Sequence, residues 1–227
     1  MRMKNETGIL TKTLMAAWAV CMHMSSFAQD SARYSPGMHL EEGIYFSFDQ
    51  FRKNQPLPSL ELVSKSGRGE PDFIRQTVAR NEIIWKDSAG KEQKIPAKNI
   101  WGISENGSVH IMIDGRLIKL IGLNTLTHFL KEEYVRPSFN AFDNGGFGAM
   151  RMGGSYLREL VFDARNGSVS GFEPDDLAEI LSSDAELLNE YSRLKKRNRR
   201  NQRFMYLRRF NERHPLYFPL PETGKLR

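Results

Sequence analysis

The chain has 227 residues, of which 40% are hydrophobic and 26% are charged, with a formal net charge of +6. This composition is that of a globular protein and excludes disorder throughout the chain. The length fits one domain of ordinary size with appendages.

The first 28 residues have the organisation of a secretory signal peptide. Arg2, Lys4 and Lys12 form a basic start, residues 13–22 (TLMAAWAVCM) are apolar, and Ser26-Phe27-Ala28 supplies small residues before Gln29. We therefore expect export to the periplasm or cell envelope. An uncleaved N-terminal anchor is the alternative. No later apolar run approaches the length of a membrane-spanning helix, so we expect no transmembrane span after cleavage.

Cleavage would remove Cys21, the only cysteine of the chain. The mature chain would then have no disulfide, no thiolate nucleophile and no cysteine metal ligand, although it is exported. Its stability would have to come from a sizeable core. Residues 29–42 lack hydrophobic periodicity and are predicted to be a flexible leader.

The first predicted elements after the leader are a strand at 43–46 and a short helix at 48–53. Ser47 and Gln50 have the spacing of a capping box, which supports the helix. Continuation of the strand into a loop is the alternative. Further strands are predicted at three positions, the last two joined across residues 87–90: 73–79, 81–86 and 91–95.

Residues 100–121 (IWGISENGSVHIMIDGRLIKLI) are predicted to form a three-stranded antiparallel meander. Asn106-Gly107 and Asp114-Gly115 favour two-residue hairpin turns, which place Glu105 opposite Ser108 and Ile113 opposite Arg116. In the resulting register His110 lies opposite Lys119, and Trp101 lies on the same face as His110. Both faces are substantially apolar, so we expect the meander to be a central layer covered on both sides. The three strands are predicted at 99–105, 108–113 and 116–121.

The remaining β segments complete an antiparallel β domain over residues 43–172. A strand is predicted at 125–132, and a hairpin joins 156–163 to 168–172 through Asn166-Gly167. Between them, the glycine-rich segment 136–154 predicts a long irregular loop. The succession of hairpins favours a roll or a small barrel over a βαβ arrangement.

The C-terminal part is predicted to be helical over residues 173–213, followed by a tail at 214–227. Pro174 suits the first turn of a helix, and Asp175 and Asp176 favour the positive end of its dipole. Ser183 and Glu186 have the spacing of a second capping box, which predicts a longer helix that ends at His214-Pro215. The predicted fold class is α+β: an antiparallel β-meander roll or small barrel, followed by a C-terminal helical pair with a long basic helix.

Charge is concentrated in this helical arm. Residues 193–213 contain ten Lys or Arg and one acid, Glu212, so the segment carries +9. Clustered cations bind polyanions, and we expect an anionic lipid headgroup, an acidic glycan or an envelope protein as partner. Nucleic acid is the least favoured partner because the protein is expected to be exported. The alternative is a solvated helix whose cations pair with the acids of residues 173–190. The candidate binding residues are Arg193, Lys195, Lys196, Arg197, Arg199, Arg200 and Arg203.

No motif in the sequence identifies a catalytic residue or a cofactor. There is no G-x-S-x-G and no phosphate-binding glycine loop, and a Cys-His pair is impossible after cleavage. His110 and His128 could approach each other on neighbouring strands, but no third metal ligand occurs at a recognisable spacing. We expect packed histidines, no metal site and no cofactor.

Three phrases resemble ones that recur in exported proteins of Bacteroidota without a known activity. They are GIYFSFDQFRKNQP at 43–56, IWGISENG at 100–107 and YLRRFNERHPLYFP at 206–219. The resemblance implies export and carries no activity, cofactor or site residue. We therefore expect a non-enzymatic envelope binding or assembly module that uses the basic arm. A small hydrolase with a cleft near the 136–154 loop is the alternative.

Overall fold

A computed structural model describes most of the chain after residue 30. For two short strands, 138–140 and 149–151, it describes the backbone alone. The predicted signal peptide, Cys21 and most of the predicted 136–154 loop lie outside the described residues. The described ranges are 31–35, 37–38, 40–63, 70–135, 138–140, 149–151 and 154–219.

Strands predominate in the described chain as far as residue 171, with two short α-helices among them, and four further helices follow. The strands are β1 Ser31–Arg33, β2 Gly43–Tyr45, β3 Leu57–Pro58, β4 Glu82–Lys86, β5 Glu92–Pro96, β6 Gly102–Glu105, β7 Ser108–Ile113, β8 Arg116–Lys119, β9 Leu126–Val135, β10 Ser138–Asn140, β11 Ala149–Arg151, β12 Gly154–Asp163, β13 Val169–Gly171 and β14 Tyr217–Pro219. The α-helices are α1 Phe48–Arg52, α2 Phe73–Val78, α3 Pro174–Leu181, α4 Ala185–Ser192, α5 Lys196–Asn201 and α6 Arg203–Arg213. Two 3₁₀ turns cover Ser59–Glu61 and Ala97–Asn99.

Two antiparallel sheets organise the core. One has the strand order β3-β2-β6-β7-β8, and the other has the order β13-β12-β9. A cluster of buried apolar side chains contacts both sheets and contains Tyr45, Phe51, Ile111, Phe129 and Phe162. Because successive residues of a strand point to opposite faces, each sheet also carries a second apolar face.

Those outer faces are covered by different elements. Ile44 and Ile103 on the outer face of the five-stranded sheet pack with residues of α2 and of the β4–β5 hairpin. Leu126 and Val161 on the outer face of the three-stranded sheet pack with the C-terminal helices, where Leu177, Tyr191 and Phe210 are fully buried. The fold class is α+β with mostly antiparallel sheets, as predicted, and neither sheet closes into a barrel.

The meander has the predicted register. Glu105 faces Ser108, Ile113 faces Arg116, and His110 faces Lys119. The expectation that it is covered on both faces is confirmed. The face assigned to Trp101 is wrong: the Trp101 ring stacks on Phe51 at 4.3 Å between centroids, inside the cluster between the two sheets. The Trp101 N–H bonds to the Tyr45 carbonyl although Tyr45 faces Gly102 in the pairing, so the alternation of faces shifts by one residue there.

Segment 73–79, predicted as a strand, contains helix α2 instead. The side chain of its N-cap, Asp72, accepts no hydrogen bond from a backbone N–H of the helix. The carboxylate of Glu105 replaces that cap, because it accepts a hydrogen bond from the Ile74 N–H at 2.6 Å. The predicted helix after Ser47 is present as α1, and Ser47 accepts from the Gln50 N–H.

The predicted long basic helix is interrupted twice. Helix α4 begins after Asp184, which accepts from the Leu187 N–H, and the chain then leaves the helical conformation at Lys195. Gln202 separates α5 from α6. The prediction of a helical pair is therefore wrong, because residues 173–213 form four helices.

The segment expected to be a flexible leader contains structure from residue 31 onward. Strand β1 pairs with β14, with Ser31 opposite Pro219, and Leu40 is buried in the cluster between the sheets. The paired residues are 184 to 188 positions apart in the sequence, so local periodicity carried no sign of the pairing.

Candidate anion-binding surface

The seven candidate cations lie around the turn between α4 and α5. Arg193 caps the C-terminus of α4, and Lys195 occupies the N-cap of α5. Arg203 begins α6. The other four are on α5 itself: Lys196, Arg197, Arg199 and Arg200.

Two of the seven are occupied by contacts within the protein. The Arg203 guanidinium lies 3.0 Å from the Glu159 carboxylate and 4.8 Å from the centre of the Phe172 ring, and its side chain is 12% exposed. Arg199 is 26% exposed and lies 3.5 Å from the Asp175 carboxylate. The Arg203 contact attaches α6 to strand β12, and the Arg199 contact links α5 to α3, so both residues are structural.

The other five are exposed and form no ion pair with any residue that the structure describes. We call them the basic patch: Arg193, Lys195, Lys196, Arg197 and Arg200. They fall within eight consecutive residues, so cations repel one another there without a compensating carboxylate. Such a surface stabilises an anionic ligand that carries several charges.

The turn that carries the basic patch is held by buried side chains. Tyr191 is fully buried, and its hydroxyl donates to the Arg199 carbonyl at 3.3 Å. Its ring contacts that of Tyr206 at 4.9 Å, which ties α4 to α6. Leu194, in the middle of the patch, points inward and packs on the same cluster. The cations are therefore displayed from a fixed backbone.

The remaining arginines of the arm pair with acids on α4 or on their own helix. Arg209 lies 2.5 Å from Glu190, and Arg213 lies 2.9 Å from Glu186 and 3.2 Å from Asp184. Arg208 and Glu212 form an exposed pair at 3.7 Å. The alternative prediction, a helix whose cations pair with acids of the protein, therefore describes α6. It does not describe the basic patch, whose cations form no ion pair with the described residues.

A second cationic site, a cavity near β14, was not predicted from the sequence. Arg52, Arg165, Arg213 and His214 line a cavity of about 360 Å³ near β14. Asp163 binds Arg165 at 2.6 Å, and Asp184 lies 3.0 Å from His214 Nε2. Because carboxylates of the protein already pair with Arg165 and Arg213, the cavity offers an anion less than the basic patch does.

The two histidines proposed as neighbours lie in separate layers. His110 shares the meander face of Ile103, whereas the His128 ring packs between Phe172 and Phe204 at 5.0 and 4.9 Å on the helical side of the other sheet. Burial lowers the pKa of both imidazoles, so the fold favours their neutral form. Among the described residues no group of three or more His, Cys, Asp or Glu side chains could hold a metal ion.

Four ionisable side chains lie at the base of the segment from which a hydrolase cleft was predicted. Glu133 accepts from the Tyr156 hydroxyl at 2.6 Å, and Lys131 and Arg158 each lie 3.3 Å from the same carboxylate. The hydrogen bond from Tyr156 lowers the pKa of Glu133 and raises that of Tyr156. The carboxylate is thus held ionised by three donors. The hydrolase alternative stays a prediction, because most of residues 136–154 lies outside the description.

No helix in the described part of the chain has the length and apolar character needed to cross a membrane. Comparisons with family models, with curated proteins and with solved structures give no match, so they assign the chain to no family.

Proposed function

We propose that the protein is an exported, non-enzymatic binding module that attaches to an anionic surface of the cell envelope through the basic patch. The observation that carries this proposal is the division of the arm's cations. Arg199, Arg203, Arg209 and Arg213 are neutralised within the protein, whereas five exposed neighbours are not.

The form of the basic patch favours a large ligand over a small one. Five cations on an exposed helix and the turn before it can contact several phosphate or carboxylate groups at once. Near an anionic membrane each Lys or Arg contributes about 1 kcal/mol, so the group would suffice for reversible attachment at moderate salt. A lipid surface and an acidic glycan both present a dense array of anions, which is the chemistry that the basic patch would recognise.

The experiment compares two charge reversals of equal size in the full-length chain. Arg197→Glu with Arg200→Glu changes the basic patch. Lys91→Glu with Arg116→Glu changes two exposed cations, one in the β4–β5 turn and one at the start of β8, which form no ion pair with the described residues. Binding is measured by sedimentation with vesicles of phosphatidylcholine containing phosphatidylglycerol, and with polygalacturonate beads.

We expect the first variant to lose roughly tenfold or more in affinity and the control to lose little, because only the patch cations contact the anions. Vesicle binding without bead binding would identify the lipid as the source of the anions, and the reverse would identify the glycan. An equal loss of affinity in both variants would mean that binding depends on net charge alone, which would contradict the proposal. Binding by the wild-type chain to neither probe would contradict it as well.

A further inference from the structure

Strand β9 is an edge of the three-stranded sheet, and its outward backbone groups beyond Leu126 have no hydrogen-bond partner among the described residues. The Ala164 N–H donates to the Thr125 carbonyl at 2.8 Å, so Thr125 faces β12. Residues of an antiparallel strand alternate in the direction of their N–H and C=O groups, so Leu126 faces away from β12. The side chain of Asn211 confirms this direction, since its amide bonds both the N–H and the C=O of Leu126 at 2.8 Å.

By the same alternation His128, Leu130 and Glu132 direct their backbone N–H and C=O groups away from β12. No hydrogen bond from the part of the chain that the structure describes reaches these groups. Asn211 acts as a one-residue substitute for a neighbouring strand at Leu126, and nothing described replaces it farther along. An edge strand of this length is a template for another strand.

The space beside this edge is a cavity of about 680 Å³ with apolar walls. Ile121, Leu130 and Phe204, which line it, are 77%, 48% and 51% exposed. Three cations also line it, Arg33, Lys119 and Arg208, against one acid, Glu212. An occupant should therefore supply a strand with an apolar residue and a carboxylate.

We propose that the occupant is β9 of a second copy of this chain, paired antiparallel about a two-fold axis at Leu130. Leu130 then lies opposite Leu130 of the second copy. His128 lies opposite Glu132 of the second copy. The two-fold axis generates the same pair again, with Glu132 opposite His128 of the second copy. The three outward-facing residues of each copy exchange six backbone hydrogen bonds, because each opposed pair is of the hydrogen-bonded type.

Charge and Asn211 select this register among the possible ones. A shift of the axis to Lys131 places Lys131 opposite its own copy, and a shift to Glu132 or Glu133 opposes two carboxylates, which destabilises the pairing. A shift to Phe129 places Glu132 of the second copy opposite Leu126, whose N–H and C=O are already bonded by Asn211, so one of the three outward pairs is lost. With the axis at Leu130 all three pairs form and no like charges are opposed. Tyr134 of the second copy then falls opposite Leu126, so the pairing ends before Tyr134.

The same register matches the charge of the cavity. Side chains at even positions of β9 point to the helical side of the sheet, as His128 and Leu126 do. Glu132 of the second copy would therefore enter beside His128, where Lys119 and Arg208 line the cavity. The opposed Leu130 side chains would cover apolar surface that is 48% exposed in one copy. The interface is isologous, as in most dimers.

The first test is the mass of the full-length chain in solution, measured by sedimentation over a range of concentrations. We expect a concentration-dependent dimer. Leu130→Pro removes an outward N–H at a position where an edge strand tolerates proline, and it should give a folded monomer. Leu130→Val keeps the backbone donor and should leave the dimer intact. The circular dichroism spectrum reports whether the proline variant is folded.

The second test does not depend on folding of the proline variant. In a Cys21→Ser background, Leu130→Cys places two cysteines opposite each other, with Cα atoms about 5.5 Å apart, which permits a disulfide. Glu132→Cys is the matched control, because the two positions 132 are separated by about 13 Å along the strands. We expect oxidation to link the first variant and not the second.

A monomer at all concentrations, a dimer of the folded proline variant, or equal cross-linking at both positions would overturn the proposal. Binding of an acidic strand-forming peptide to a chain that stays monomeric, with loss in Leu130→Pro, would assign the edge to a different partner and would also overturn it.

Discussion

Glu105 and Ile74 are linked by a hydrogen bond of 2.6 Å across 31 residues of sequence, from the helix backbone to a carboxylate of the central meander. The other carboxylate oxygen of Glu105 lies 3.0 Å from Arg75 Nε, and the residue is 5% exposed. Glu105 therefore acts as the N-terminal cap of α2, although it lies in another element. It also fixes that helix on the outer face of the five-stranded sheet.

Replacing Glu105 with alanine should lower the free energy of unfolding by about 1–3 kcal/mol, because the Ile74 N–H is left buried without an acceptor. Glu105→Gln keeps one acceptor and should recover part of the loss. Urea unfolding followed by circular dichroism measures both. Glu82→Ala is the control, since Glu82 is exposed and its distance to Lys94 is 3.7 Å. A loss as large in the control would contradict the capping role.

Asn211 should be difficult to replace. Its amide satisfies both backbone groups of Leu126, which is 1% exposed. Asn211→Leu removes both hydrogen bonds and should lower the free energy of unfolding by about 2 kcal/mol. Asn211→Asp keeps the acceptor for the Leu126 N–H, so its free energy of unfolding should lie between those of the wild type and Asn211→Leu. Amide hydrogen exchange at Leu126 gives a local readout, and unchanged protection there would contradict the assignment.

Asp184 should make the protein sensitive to acid. Its carboxylate accepts from the Leu187 N–H and contacts His214 and Arg213, and these contacts, the backbone bond first, lower its pKa to about 2 from 3.8. A lowered pKa stabilises the fold above the unfolded value, and that stability is lost as the pH falls from about 4 through about 2. Asp184→Asn should flatten this part of the stability profile, measured by urea unfolding at a series of pH values. Glu92→Gln, an exposed carboxylate that forms no ion pair with the described residues, is the control.

His110 should also make stability decrease as the pH falls, but in a higher pH range. Burial, then the nearby charges of Arg75 and Lys119, lower its pKa below 6.5, so the fold favours neutral imidazole. The unfolded chain takes up a proton first as the pH falls through 6.5, and stability decreases from that point downward. His110→Gln should show a shallower decrease between pH 7 and 5 in thermal unfolding scans. A steeper decrease than in the wild type would refute this account.

The turns of the meander made most of its structure predictable. Asn106-Gly107 and Asp114-Gly115 require positive φ, which both dipeptides adopt, and the strands on either side follow with their register. Trp101 could not be placed in the same way. Its hydrogen bond to Tyr45 comes from a neighbouring strand, and a local pattern contains no information on that contact.

Helix α2 and the divided C-terminal arm were misjudged for a similar physical reason. Six residues form a marginal helix without help, and the help comes from Glu105 in another element. In the arm, charge content alone did not separate Arg203, held by Glu159, from Arg200, which is exposed. Only the positions of carboxylates on other strands and helices make that distinction.

The pairing of β1 with β14 has a consequence for how the chain can be cut and joined. Ser31 and Pro219 are directly opposite each other, so the chain enters and leaves the folded unit at one point. A short linker between those positions and a new opening at the exposed Asp87–Lys91 turn should give a circular permutant with the same fold. Two domains fused at the two positions would emerge side by side from a single edge.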